Sequence, residues 1–100
     1  MEILKQLDNK ELTLTLKGEL NTATSPELDA AIEKDLKDNT SLIIDMAELT
    51  YLTSAGLRVL LVAQKLMNER KGQLLIRHCN DAIMEVFDIT GFKNILTIEN

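Results

Sequence analysis

A serine hydroxyl at the head of an apolar helix is the group of this chain best placed for chemistry. It lies in Tyr51-Leu52-Thr53-Ser54-Ala55-Gly56-Leu57, a polar turn between an apolar run and a long apolar segment. Backbone N–H groups in the first turn of a helix have no intrahelical acceptors, and with the helix dipole they favour an anion. A phosphoryl group on Ser54 would meet a favourable field there. The same position suits a plain helix cap, because Ser and Thr hydroxyls accept bonds from those N–H groups. Both roles are open to Ser54.

Other reactive side chains lack partners. A nucleophilic triad needs a base beside the serine, and His78, the one histidine, falls at the end of a different strand. Cys79 is the one cysteine; it adjoins His78, but adjacent strand residues point to opposite faces, so the two are poorly placed as a thiolate–imidazole pair. A lone cysteine also excludes an internal disulfide and a multi-cysteine metal site, and no metal or cofactor is expected. The glycines at 18, 56, 72 and 91 form no nucleotide-binding fingerprint. Asp45 alone among the acids sits where a receiver-type phospho-acceptor would, without the acidic pair such a site needs, so most acids read as a solvated surface.

The elements that must position Ser54 follow from the hydrophobic pattern. Leu12, Leu14 and Leu16 alternate with Thr13, Thr15 and Lys17, the period of a strand with one wet face. Residues 3–7 pair with it as a hairpin, turning at Asp8-Asn9-Lys10. Ser25-Pro26-Glu27 reads as a cap residue, a proline at the first helical position and an acid in the first turn of a helix running to about Lys37. Leu42-Ile43-Ile44 is a continuous apolar run, as in a central strand covered on both faces. A second helix, apolar almost all round, covers 55–71 and ends at Gly72. A strand at 74–76, a helix carrying Ile83, Val86 and Phe87 with a left-handed cap at Gly91, and a strand at 95–98 complete the order. Strand–helix alternation from residue 11 onward implies an α/β fold with a largely parallel five-stranded sheet and an antiparallel first strand.

Length and charge narrow the class. One hundred residues form a single domain, 1–100, able to bury about two thirds of its unfolded surface. A formal charge of −5 repels a phosphate backbone, which argues against nucleic acid. No apolar stretch approaches the roughly 20 residues of a membrane span, and the first residues lack a signal-peptide layout, so no membrane insertion and a cytoplasmic location are expected.

Three separated segments resemble one family. Leu42-Ile43-Ile44-Asp45 followed by Leu52-Thr53-Ser54-Ala55-Gly56-Leu57-Arg58-Val59-Leu60 resembles the strand, aspartate, loop and phosphoserine segment of STAS domains, in particular bacterial anti-sigma factor antagonists. Gly18-Glu19-Leu20-Asn21 and Val86-Phe87-Asp88-Ile89-Thr90-Gly91-Phe92 match in the expected order. The resemblance implies a mixed sheet with helices packed on one face and a partner-switching role. In such systems the unphosphorylated antagonist binds an anti-sigma factor that is also a serine kinase. Phosphorylation breaks the complex, and a serine phosphatase restores it.

By position Ser54 is then the phospho-acceptor, and Asn21, Thr53, Ser54, Ala55, Gly56 and Arg58 form the partner-binding surface. Gly56 would allow a partner backbone to approach closely, or would serve as a small residue in a tight first turn. Two positions depart from the family pattern: Thr53 stands where aspartate is common before the serine, which makes it a competing acceptor, and Asn21 stands for an aspartate. The terminal helix of many members has no counterpart after the last expected strand. A small STAS subunit of a lipid-transport ATPase complex is the alternative function. A receiver-like or hydrolytic enzyme lacks the base or metal cluster it would need.

Overall fold

The computed structural model describes residues 1–36 and 41–99. Alternating leucines make the hairpin of β1 (Glu2–Asp8) and β2 (Glu11–Leu20), paired antiparallel with Leu7 opposite Leu12 and Leu4 opposite Thr15. Its turn puts Asn9 at φ 57, a left-handed conformation that asparagine adopts more readily than most residues. Next come α1 (Ser25–Asp35), β3 (Ser41–Leu52), α2 (Ser54–Glu69), β4 (Gln73–Arg77) and α3 (Asp81–Thr90). A single 3-10 turn (Phe92–Asn94) precedes β5 (Thr97–Glu99). The sheet order follows the chain, β1 to β5, with every pair after the hairpin parallel. This is the mixed, mostly parallel sheet the alternation implies.

One hydrophobic cluster joins Leu12, Leu14 and Leu16 of β2, Leu42, Ile44 and Met46 of β3, and Leu74 and Ile76 of β4 to all three helices. The helices contribute Leu28 and Ile32, then Leu57, Leu60, Ala63 and Met67, then Ile83 and Phe87, so they pack on one face of the sheet. A fully buried leucine or isoleucine is worth about 1.5–3 kcal/mol, and this layer fixes where each helix starts.

Several boundaries differ from the pattern reading. The apolar run at 42–44 is only the first part of β3, which continues to Leu52 because residues 48–52 pair with 17–20 of β2 across register shifts near Thr15 and Gly18. Ile43 is 3% exposed yet outside the helix-side cluster; its register neighbours are Thr13 and Leu75, so adjacent strands and not a second helical layer flank this residue. Helix α1 has Thr24 and not Ser25 as its N-cap, so that Pro26 is its second residue; it ends at Asp35 with Leu36 as its cap, and the expected continuation at Lys37 lies outside the described residues.

Helix α2 is not buried all round, since Val62 is 52% exposed on the side away from the sheet. It stops at Glu69, and the left-handed residue is Lys71 (φ 59), not Gly72. The N–H of Lys71 donates to Asn68 O and that of Gly72 to Met67 O, the two bonds of a Schellman cap. Gly91 takes the left-handed cap of α3 as expected, with φ 81. Strand β5 begins at Thr97 rather than 95, because the 3-10 turn places Leu96 in the core and leaves Ile95 half exposed.

Candidate functional site

The carboxyl ends of β2 and β3 lie side by side; β3 leads through Thr53 into α2, and β2 leads through a four-residue turn at 21–24 into α1. Thr53 N–H donates to Leu20 O at 3.0 Å, which ties the start of α2 to the end of β2. Gly56 makes that approach possible: a Cβ there would stand 2.8 Å from both Cγ and Cδ2 of Leu20, which is fully buried. Of the two roles the sequence leaves open for Gly56, the geometry supplies a close internal contact.

Asn21 organises the adjoining turn. Its Oδ1 accepts from the N–H groups of Ala23 and Thr24 at 3.0 Å each, while its own N–H donates to Thr24 Oγ1 at 2.8 Å. Ser25 Oγ donates to Asn21 O at 2.6 Å, and Thr24 Oγ1 to Glu19 O at 2.8 Å. Carboxylate and amide oxygens accept such bonds alike, so this turn can use Asp or Asn at position 21.

The start of α2 is bare by contrast. Thr53, not Ser54, is the N-cap, with extended backbone (φ −110, ψ −178) and no side-chain cap bond. Its Oγ1 is buried without a hydrogen-bond partner among the described residues. Ser54 is the first helical residue, exposed, and its hydroxyl makes no hydrogen bond among the described residues, so the simple capping role is not the one it fills. The first turn holds no acidic residue, whereas α1 has Glu27 and α3 has Asp81. Ala55 and the exposed Arg58 line a shallow groove against Thr22, Ser25, Pro26 and Asp29 of the α1 start, and Val59 links it to a second groove floored by Ile32, Leu36, Ala63 and Leu66. The α1 side of these grooves, Thr22 and Asp29 included, was not singled out from sequence; only the packing of two helices brings it to Arg58.

The remaining reactive groups gather elsewhere. Asp45 lies within β3 and not at its end, separated from Ser54 by extended chain at 46–52, roughly 20 Å at about 3.3 Å per residue. Its Oδ1 accepts from Ala47 N–H at 3.0 Å and stands 3.1 Å from His78 Nδ1, on the side of the sheet opposite Ile44 and Met46. His78 follows β4 in a left-handed conformation, φ 59. Cys79 turns the other way, its Sγ 3.8 Å from Met46 Sδ. Burial and then the Asp45 charge push its thiol up to about 11, so it is protonated at neutral pH. Neither residue reaches Ser54. Among the described residues no cluster of His, Cys, Asp or Glu could hold a metal, and no helix is long and apolar enough to cross a membrane.

With this geometry, similarity to known proteins is specific. The chain matches the STAS domain over residues 2–100. An anti-sigma-B factor antagonist of Listeria monocytogenes is 31% identical over 98 residues, covering 97% of this chain and 86% of that protein. An anti-sigma factor antagonist from Mycobacterium paratuberculosis superposes with a TM-score of 0.86 at 21% identity, covering 97% of this chain and 83% of the other. The anti-sigma factor antagonist SpoIIAA superposes at 0.75 in its unphosphorylated form (15% identity, covering 99% and 88%). The phosphorylated form of this Bacillus protein superposes at 0.74 (16% identity, covering 99% and 92%).

Proposed function

This chain belongs to the STAS domain family, and from that premise we propose that it is an anti-sigma factor antagonist working by partner switching. Unmodified, it binds an anti-sigma factor through the surface formed by Asn21, Thr53, Ser54, Ala55 and Arg58, with Gly56 buried beneath it against Leu20, and so frees a sigma factor. The anti-sigma factor is also a serine kinase. It transfers the γ-phosphoryl group of ATP to Ser54 Oγ, the hydroxyl proton passing to a base of the kinase and ADP leaving. A serine phosphatase removes the group. The chain itself turns over nothing, and its place of work is the cytoplasm, where sigma factors meet their polymerase.

The observation that carries this reading is the exposed, unbonded Ser54 hydroxyl at an uncapped helix start, next to a Thr53 hydroxyl that is buried. A kinase can reach the first and not the second, which favours Ser54 over Thr53 as the acceptor. Phosphorylation adds about −1.5 to −2 charges at that point. The helix start tolerates them, since its free N–H groups and dipole favour an anion. A partner surface fitted to a neutral hydroxyl does not, because it must desolvate or repel the charge. The switch therefore requires no refolding.

Affinity purification of the tagged chain from its own cells, with mass spectrometry of what co-purifies, tests the assignment. An anti-sigma factor with a serine-kinase domain is the expected partner; transporter ATPase subunits in its place, with Ser54 unmodified, would refute it.

A further inference from the structure

The groove between the starts of α1 and α2 carries two opposite charges, Asp29 and Arg58, that form no ion pair with each other. Arg58 is exposed and has no ion-pair partner among the described residues. It follows Ser54 by four residues on α2, about 40° further round a helix of 3.6 residues per turn. Residues at this spacing are neighbours on a helix surface, and helical side chains favour the direction of the helix N-terminus, so a group on Ser54 is within reach of the Arg58 guanidinium. A guanidinium fork matches two oxygens of a phosphoryl group, and the pair is charge-assisted.

We propose that Arg58 is the positioning residue for the phosphoryl group of Ser54, holding it in an ion pair along the surface of α2. The pair draws the guanidinium away from Asp29 and the groove and toward the head of its own helix. Modification then changes two features of the partner-facing surface: a neutral hydroxyl becomes an anion, and an available cation is engaged. Asp29 is the other charged group lining this groove. The proposal rests on the reading of Ser54 as the phospho-acceptor.

The test needs neither kinase nor partner. Phosphoserine is installed at position 54 by codon reassignment, and its second ionisation is followed by 31P NMR as pH is varied. The unsubstituted chain is compared with Arg58→Gln and with Lys65→Gln, which removes the same charge at an exposed site about three turns from Ser54 along α2. Circular dichroism checks that both variants keep the fold. The expected result is an ionisation about 0.3 pH unit or more lower in the unsubstituted chain than in Arg58→Gln, the size of an i,i+4 ion pair. Lys65→Gln should stay within about 0.1 unit of the unsubstituted chain, beyond the reach of direct pairing. Identical titration with and without Arg58 overturns the proposal, and so does an equal shift in both variants, which marks a general charge effect. Either failure leaves the partner found by affinity purification unaffected, so it is distinguishable from failure of the anti-sigma assignment.

Discussion

The helices of this protein start in two different ways. At α1 the N-cap Thr24 makes no side-chain cap bond, but Asn21 and Thr24 hold the entering turn with side-chain bonds and Glu27 lies in the first turn. At α3, Asn80 Oδ1 accepts from Ile83 N–H at 2.8 Å, its Nδ2 donates to Leu49 O, and Asp81 sits in the first turn. At α2 there is no cap bond, no acid and an unpaired buried hydroxyl on Thr53. A side-chain cap is worth about 1 kcal/mol, yet the bare helix is the one that places Leu57, Leu60, Ala63 and Met67 in the core. Packing, and not a side-chain cap, holds α2.

The sharpest way to break this contrast is to charge that head. Ser54→Asp should weaken binding to the anti-sigma factor about 100-fold, near 3 kcal/mol, while Ser54→Ala stays within about threefold. Calorimetric titration of both variants decides it, and equal affinities would mean that the bare start is not a charge switch. Gly56→Ala probes how the head is seated. A methyl 2.8 Å from Leu20 Cγ should cost about 1–3 kcal/mol of stability, read as a lower denaturation midpoint at constant m. A gain of about 1 kcal/mol, as helix propensity alone would give, would show that Leu20 yields.

Smaller effects sharpen the contrast between caps. Asn21→Ala and Asn80→Ala should each lower stability by about 1–2 kcal/mol, because each leaves backbone N–H groups without their acceptor. Asn21→Asp keeps the acceptor and should stay within about 0.5 kcal/mol. Thr53→Ala, with no cap bond to lose, should cost less than about 0.5 kcal/mol; a loss matching that at Asn80 would erase the distinction between the helix starts. Thermal or urea unfolding measures all four.

Element order and pairing were legible because they rest on periodicity and punctuation. Leucine alternation at 12–16, Pro26 and Gly91 all mark what the fold uses. The length of β3 was not legible, since the stretch 46–52 has no clean alternation and becomes strand only by pairing with 17–20 across register shifts. At the site, the sequence singled out Ser54, and the structure supplies the reason to separate it from Thr53: neighbouring hydroxyls look equivalent in sequence, and only packing buries one. Asn21 stood out as a departure from the family pattern, and its place in the α1 turn became visible only through its hydrogen bonds. The groove facing Arg58 depends on how α1 and α2 cross, which local patterns do not encode.

The most direct test of the central claim is to incubate the purified complex of this chain and its anti-sigma factor with Mg-ATP, then map the phosphate by peptide mass spectrometry while following the complex by size exclusion. Phosphate on Ser54, none on Thr53 and dissociation of the complex are expected. Phosphate on Thr53, or a complex that survives full modification of Ser54, would contradict the account.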